Sequence, residues 1–553
     1  MCEEWCVIAS VLREATLVAC EIASARKTRA SQLRRECSAK YQMNSLNLLF
    51  DRARRHPYLV VTLVLLAAHI VLRFASAGLE PRLESIFGII PITQRWGAMS
   101  WLWGFRSTVP LYLSRWLVVL GLTLVLAVVA TRAIRQDLWA KWIDPLSTRN
   151  RLLVFAMIAA AFAVFFWLMR LKIAWGDYAR YTDYMLRGLQ PGQTSNPNPP
   201  TIFFMSSPLG TTLFYVVWRI LNQFGWSPEE TVAMANVIAG AIFVFSLLSL
   251  IHQWKATRRV AVFAVLASIP AATMFFGYIE VTPLSAALSV AYFAIAQSCL
   301  DKPTLAKSLG ASLVLGLAFT SHGWAGVLLP SLLFLLLMRP ASSRILQWFG
   351  SVILFTLPAF TFRIAATLRP DWVYGPANGD SGNFQFAIFT HGLAAVFRDE
   401  CLTAQLPNLC YRLLSPYQFV DVASFISRMS PVLFALVLIM LFKTSEFFKN
   451  SEVWPVAFFW ILVALFSTTF LFYWPPAFGL EHDWDLYAPS VIAVTIAIGG
   501  ITASLPPLFW SRVDIRYSLA VLFSWNVAGM LEHAFYLQAW LFREVILKIF
   551  YVR

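Results

Sequence analysis

The sequence predicts an all-α, polytopic membrane protein with about 13 transmembrane helices, and three observations carry that prediction. Hydrophobic residues make up 59% of the 553 positions and charged ones only 13%, with a mean hydropathy of +0.65. A soluble chain carries about 25% charge. Apolar runs of about 17 residues or more recur along the chain, each long enough to cross a bilayer as a helix. Basic residues gather in the loops between alternate runs, the orientation signal of a membrane protein. Hydrocarbon offers backbone amides no partner, so repeated crossing forces helices. The net charge of +15 is therefore read as topology. The partner it implies is the lipid bilayer, and no nucleic acid is expected.

Residues 1–42 differ from the rest: they hold Cys2, Cys6, Cys20 and Cys37, mixed charge and no spanning run. WCVIASVL is too short to span and lacks the basic flank of a signal peptide. These residues read as an upstream extension or a loose surface helix, with a natural-looking start at Met43. Residues 43–150 add two spans, 58–76 and 110–131. The core, 151–533, carries spans at 152–173, 231–251, 260–278, 281–299, 305–321, 323–338, 344–366, 430–447, 453–474, 487–505 and 516–533. Residues 534–553 are expected to form a C-terminal interfacial helix.

Orientation turns on PLGTTLFYVVWRILNQFG (208–225), whose apolar character is broken by Arg219, Asn222 and Gln223. Read as an amphipathic helix that does not cross, it leaves the basic clusters on one side. These are Arg52, Arg54 and Arg55; Arg132, Arg135, Lys141, Arg149 and Arg151; Lys255, Arg258 and Arg259; Lys302 and Lys307; Arg339 and Arg344; Lys443 and Lys449; and Arg512 and Arg516. That side, with the N-terminus, is expected to be cytoplasmic at a plasma membrane. The opposite, outer side collects most acids and the two long connections, 174–230 and 367–429. Connections of that length are usually functional or disordered. Cys401 and Cys410 share an outer loop, where a disulfide and two free thiols both fit.

The outer stretches hold the candidate chemistry. In WGDYARYTDYMLRG, Asp177 is the first acid after a span, and a helix starting there aligns Asp177 with Tyr181 and Tyr184. Asp177 reads equally as a helix N-cap and as a general base tuned by partial desolvation. Asp183 reads as an ion pair with Arg180 and Arg187. GYIEVTP places Glu280 at an outer hairpin, as a headgroup-level turn residue or part of an acceptor pocket. TSHGWAG places His322 between close spans, capping a helix or binding a phosphate or metal. In FGLEHDWDLYAP, Trp484, Asp485 and Tyr487 have structural roles as belt and cap, whereas Glu481, His482 and Asp483 exceed them. His482 and Asp483 are read as orienting donor phosphate or sugar hydroxyls. Residues 371–392 suit a lid or a plain connector. Arg363 and Arg369 read as snorkelling cations or phosphate clamps. No GxxxxGK[ST], HExxH, CxxC or GxSxG pattern is present, against the usual ATPases, zincins and lipases.

A long outer loop with an acid just after its span, then interfacial helices and many spans, resembles the GT-C glycosyltransferase superfamily. Its members include the protein O-mannosyltransferases, lipid A aminoarabinose transferases and oligosaccharyltransferases. The likeness covers most of residues 150–530 as architecture, and as motif the stretches around Asp177, GYIEVTP and HDWDLYAP. It implies a polyprenyl-phosphate sugar donor, Asp177 as the base, and inversion at the anomeric carbon. The acceptor would be a hydroxyl of a lipid, a glycan or a protein. Many members carry two adjacent acids where this chain has Asp177–Tyr178, so a tightly held metal is not implied. The balancing cation is left among an arginine, His322 and a loosely bound divalent metal (Mg or Mn). Tyr181, Glu280, His322, Arg363, His482 and Asp483 are the expected substrate-binding residues. The rival readings are a secondary transporter or flippase, which would place ionisable groups at mid-depth, and a non-catalytic assembly subunit.

Overall fold

The computed structural model describes residues 56–71, 138–170, 202–203, 207–254, 258–338, 344–373, 416–438, 454–473, 484–505, 509–510 and 512–551. The chain divides into two compact units, Met1–Val60 and Val61–Arg553. Of the first, only residues 56–60 are described, and they open helix α1 (Pro57–Val71). The helices that position the site belong to the second.

Among the described residues the second unit is helical, with one isolated backbone bridge between Phe203 and Val373 and no strand. After α2 (Leu138–Trp142) come α3 (Thr148–Leu168), α4 (Pro208–Leu221), α5 (Pro228–Gln253), α6 (Arg259–Ala267), α7 (Thr282–Asp301) and α8 (Leu305–Ser321). The second half holds α9 (Leu329–Met338), α10 (Arg344–Leu368), α11 (Pro416–Met429), α12 (Trp454–Tyr473), α13 (Trp484–Ala503) and α14 (Val513–Tyr551). Six of these, α3, α5, α7, α10, α12 and α13, are long and apolar enough to cross a membrane. The protein is a multi-pass helical membrane protein.

Local chemistry sets where these helices begin. Ser147 caps α3 by accepting the Asn150 N–H. A full capping box opens α5: Ser227 Oγ accepts the Glu230 N–H, and Glu230 Oε2 accepts the Ser227 N–H, both at 3.2 Å. Pro228 occupies the first turn, where its missing N–H is harmless. Thr304 caps α8 through the Lys307 N–H. Burial then sorts the spans. Helix α13 is apolar on every face and buried along its length, so it is the centre of the bundle. Helices α3 and α10 instead turn Met157, Leu168, Ile345 and Phe349 outward, as expected where the solvent is hydrocarbon.

Three segments depart from regular spans. The stretch expected to cross at 260–278 is broken: α6 stops at Ala267, a 3₁₀ turn runs Pro270–Phe275, and Gly277 reverses the chain at φ +68°. Pro270 cannot donate to a continuing helix. The freed Val265 carbonyl is taken by the Asn526 amide at 2.7 Å and by Ser268 Oγ. The stretch at 323–338 likewise opens as a 3₁₀ turn (Gly323–Leu328) before α9. Helix α14 continues unbroken from the last span through the C-terminal residues, which contain neither glycine nor proline after Gly529.

Helix α4 meets the same end of the bundle at both its termini. At its start a Cβ on Gly210 would touch Val281 at 3.3 Å. Just past its end, Trp226 stacks on Trp167 near the close of α3, ring centroids 5.6 Å apart. Its 14 residues span about 21 Å at 1.5 Å per residue, short of the ~30 Å core. Leu213, Val216 and Ile220 face outward while Phe214, Tyr215 and Trp218 pack inward. The helix therefore returns without crossing. The expected span 430–447 is helical over 432–438 after two non-helical residues, 439–447 and the span 110–131 lying outside the described residues.

Candidate functional site

The site is built at the end of the bundle where α3 and α8 finish and α5, α7 and α13 begin. Its frame is the reversal 276–281. Gly277 adopts a left-handed φ that a side chain would strain, and a Cβ there would lie 3.1 Å from Ala233 Cβ and 3.3 Å from Arg170 Cβ. The turn is thereby pressed between α5 and the end of α3. Asn236, buried in α5, donates its amide to the carbonyls of Tyr278 and Glu280, the latter at 2.8 Å. Glu280 is itself buried, and its Oε2 accepts the Val281 N–H at 3.3 Å.

Gly210 joins this turn to the His322 loop. A Cβ on it would meet Val281 on one side and the Ser321 carbonyl at 3.5 Å on the other. Three chain segments thus approach closely at a glycine. His322 follows Ser321, half-buried, with Nδ1 accepting the Trp324 N–H at 3.2 Å. That bond caps the 3₁₀ turn. The protein packed around the imidazole disfavours its charged form and lowers its pKa to about 4. At neutral pH the ring is uncharged, and with Nδ1 accepting, its proton sits on Nε2. Trp324 Nε1 in turn donates to Ser490 Oγ on α13.

Trp484, the first residue of α13, forms the back of the site. It packs against Tyr278 at 4.9 Å and edge-on to His533 of α14 at 4.8 Å. Behind His533 lies Arg428 of α11, with Nε 3.5 Å from His533 Nδ1 and Nη1 3.5 Å from Glu532 Oε1. Arg428, Glu532 and His533 are all buried. Sequence reasoning passed over these three. Opposite charges at the ends of two apolar stretches, FISRMSP and GMLEHAF, were the only signal, and nothing in the chain order pairs them.

The structure thus sets Trp484 against Tyr278 of the turn that holds Glu280, and Gly210 lies between that turn and Ser321, which precedes His322. Arg363 stands apart, exposed on α10. Arg369 pairs with Asp371 at 2.8 Å and lies over the Trp372 ring, so a local bond occupies it. That hydrogen bond holds the Asp371 carboxyl below its ordinary range. Asp177, Tyr181, His482, Asp483, Cys401 and Cys410 lie outside the described residues. The chain leading to Asp177 leaves from Arg170, which is half-buried over the Trp167 ring at 4.3 Å and adjoins Gly277. Among the described residues no three His, Cys, Asp or Glu side chains converge as a metal-binding group.

No family model matches the chain, and no curated protein sequence does. Among solved structures the chain is similar to the crystal structure of ArnT from Cupriavidus metallidurans bound to undecaprenyl phosphate. The TM-score is 0.30 and the identity 13%, over 69% of this chain and 78% of that one. That likeness assigns no residue a role.

Proposed function

We propose that the chain is a membrane glycosyltransferase that moves a sugar from a polyprenyl-phosphate donor to an acceptor hydroxyl at the outer membrane face. One observation carries the reading. The turn that holds Glu280, the His322 loop and Trp484 lie at the end of the bundle where Arg170, seven residues before Asp177 in the sequence, adjoins Gly277. Asp177 follows Arg170 by seven residues, a stretch that reaches at most about 25 Å when extended. The described loop cations Arg149, Arg151, Arg259, Lys302, Lys307, Arg344 and Arg512 flank helix ends at the opposite end of the bundle. By the positive-inside rule that end is cytoplasmic and the site is external. Nucleotide sugars are not available there, whereas a lipid-linked sugar is. Residues 151–533 then form the catalytic core, with 43–150 as an added pair of spans.

In this mechanism Asp177 takes the proton of the acceptor hydroxyl as its oxygen bonds to the anomeric carbon. The bond from that carbon to the phosphate oxygen breaks, and polyprenyl phosphate leaves from the opposite face with inversion. Neutral His322 supplies no charge; its Nε2–H is a hydrogen-bond donor for a phosphate or sugar oxygen. Arg170 adjoins the turn at Gly277. A Mg or Mn ion bound through Asp177 would add Lewis-acid stabilisation of the leaving phosphate.

A secondary transporter is the second reading, and the broken segment 259–281 favours it, because transporter sites form at unwound helices. Here the break is capped from within: Asn526 and Asn236 take its carbonyls. Asp177→Asn decides between them. Transfer from undecaprenyl-phosphate sugars in proteoliposomes is expected to fall by about 10²–10⁴-fold with an unchanged Tm. Wild-type-like transfer in that variant ends the assignment.

A further inference from the structure

Asn236 is an expensive residue for its place. It lies about two turns into α5, fully buried among apolar neighbours where a hydrocarbon side chain would pack without desolvation. Its amide nitrogen meets two carbonyls, of Tyr278 and Glu280, which lie 42 and 44 residues further along the chain. Serving two acceptors from one atom requires an –NH₂ group, which a hydroxyl cannot replace. Its own Oδ1 is buried and has no hydrogen-bond partner among the described residues, so the side chain is kept although only half of it is satisfied.

The two carbonyls it holds flank the one acid of the turn. The Glu280 N–H donates to the Tyr278 carbonyl at 3.0 Å, and Glu280 Oε2 accepts the next N–H. The backbone on either side of Glu280, and with it the direction of the carboxylate, therefore depends on the bonds from α5. We infer that Asn236 is a positioning residue for the transfer reaction: by clamping the Tyr278 and Glu280 carbonyls it sets where the Glu280 carboxylate stands to receive an acceptor hydroxyl. This rests on the transferase reading above. Asn236 itself touches no substrate.

A double-mutant cycle with Asn236→Ala and Glu280→Gln tests it, using undecaprenyl-phosphate-linked hexoses and pentoses as donor probes in native membranes. Each single variant is expected to lower transfer about tenfold, and the pair to lower it no further, because both remove one arrangement. Asn236→Ser, which keeps one donor, should fall between wild type and Asn236→Ala, and it covers the case in which Asn236→Ala does not fold. Amide hydrogen exchange supplies a readout that needs no substrate. Residues 277–281 should exchange at least about tenfold faster in Asn236→Ala, with the rest of α5 unchanged. Fully multiplicative losses in the cycle, or unchanged exchange in the turn, overturn the positioning role while leaving the transferase reading intact. A wild-type protein that transfers none of the probes, and an Asp177→Asn variant indistinguishable from it, overturns the transferase reading, and the positioning role falls with it.

Discussion

Arg259 and Asp144 meet 2.7 Å apart at the end of the bundle rich in loop cations, with side chains 21% and 39% exposed. Arg428 and Glu532 meet 3.5 Å apart at the other end, 2% and 8% exposed. The shorter contact is the less costly one to break. At a wet surface an ion pair replaces good hydration and contributes little. Inside the bundle both ions have lost water, so removing either costs more than breaking a surface pair. The first end also holds His252 against Arg151 and Trp139, side chains that pin α2 and α3 to α5. The second end holds irregular backbone, capped turns and buried ionisable groups. Buried charge that a membrane protein retains marks a working region more often than a structural one.

The comparison breaks most visibly at Arg428. Arg428→Ala leaves Glu532 and His533 buried without their cation and should destabilise the protein by about 3–5 kcal/mol, read as denaturant unfolding in micelles. Replacing the pair together, Arg428→Met with Glu532→Leu, should recover most of that loss. If the single variant behaves like a surface one, the contrast between the ends is lost.

Gly277→Val comes next. It forces a β-branched residue into a left-handed φ against Ala233 and Arg170, for about 1–3 kcal/mol. The same change at Gly225, whose φ is +79° but whose Cβ would meet nothing within 4 Å, isolates the backbone part of that effect.

His322 sharpens the comparison through pH. Its pKa is about 4 in the fold against 6.5 for an ordinary histidine, so the unfolded chain binds more protons between those two values. The contribution is fully present above about pH 6.5 and is lost as pH falls toward 4. As the pH is lowered through that window, Tm should decline in wild type and decline less steeply in His322→Asn, which keeps a capping side chain. His322→Ala should flatten the decline too and lose about 1 kcal/mol with the cap. A slope in both variants identical to wild type assigns the pH dependence elsewhere.

The smallest effect belongs to the exposed pair. Asp144→Asn should change stability by about 0–1 kcal/mol, and less in high salt.

Much of this fold was legible in the chain. The expected span at 305–321 is α8 residue for residue, and 344–366 is α10 to within two residues, because long apolar runs in lipid have one solution. The non-crossing segment was legible from Arg219, Asn222 and Gln223. The break at Pro270 was not, because IPAATMFFG is apolar but for Thr273 and hydropathy does not see a missing N–H. Glu280 and His322 were legible as polar residues in short turns. The approach of their two loops at Gly210 was not, since it depends on three segments coming close across more than a hundred residues.

By itself, then, the sequence determined the class of the protein and spans such as α8 and α10, since these follow from the local match between apolar length and bilayer thickness. Only the tertiary structure decided which polar groups meet: Asn236 with the carbonyls of Tyr278 and Glu280, and Arg428 with Glu532 and His533. Hydrogen bonds and ion pairs act over a few ångströms, and which distant residues come that close is settled by helix packing rather than by order along the chain.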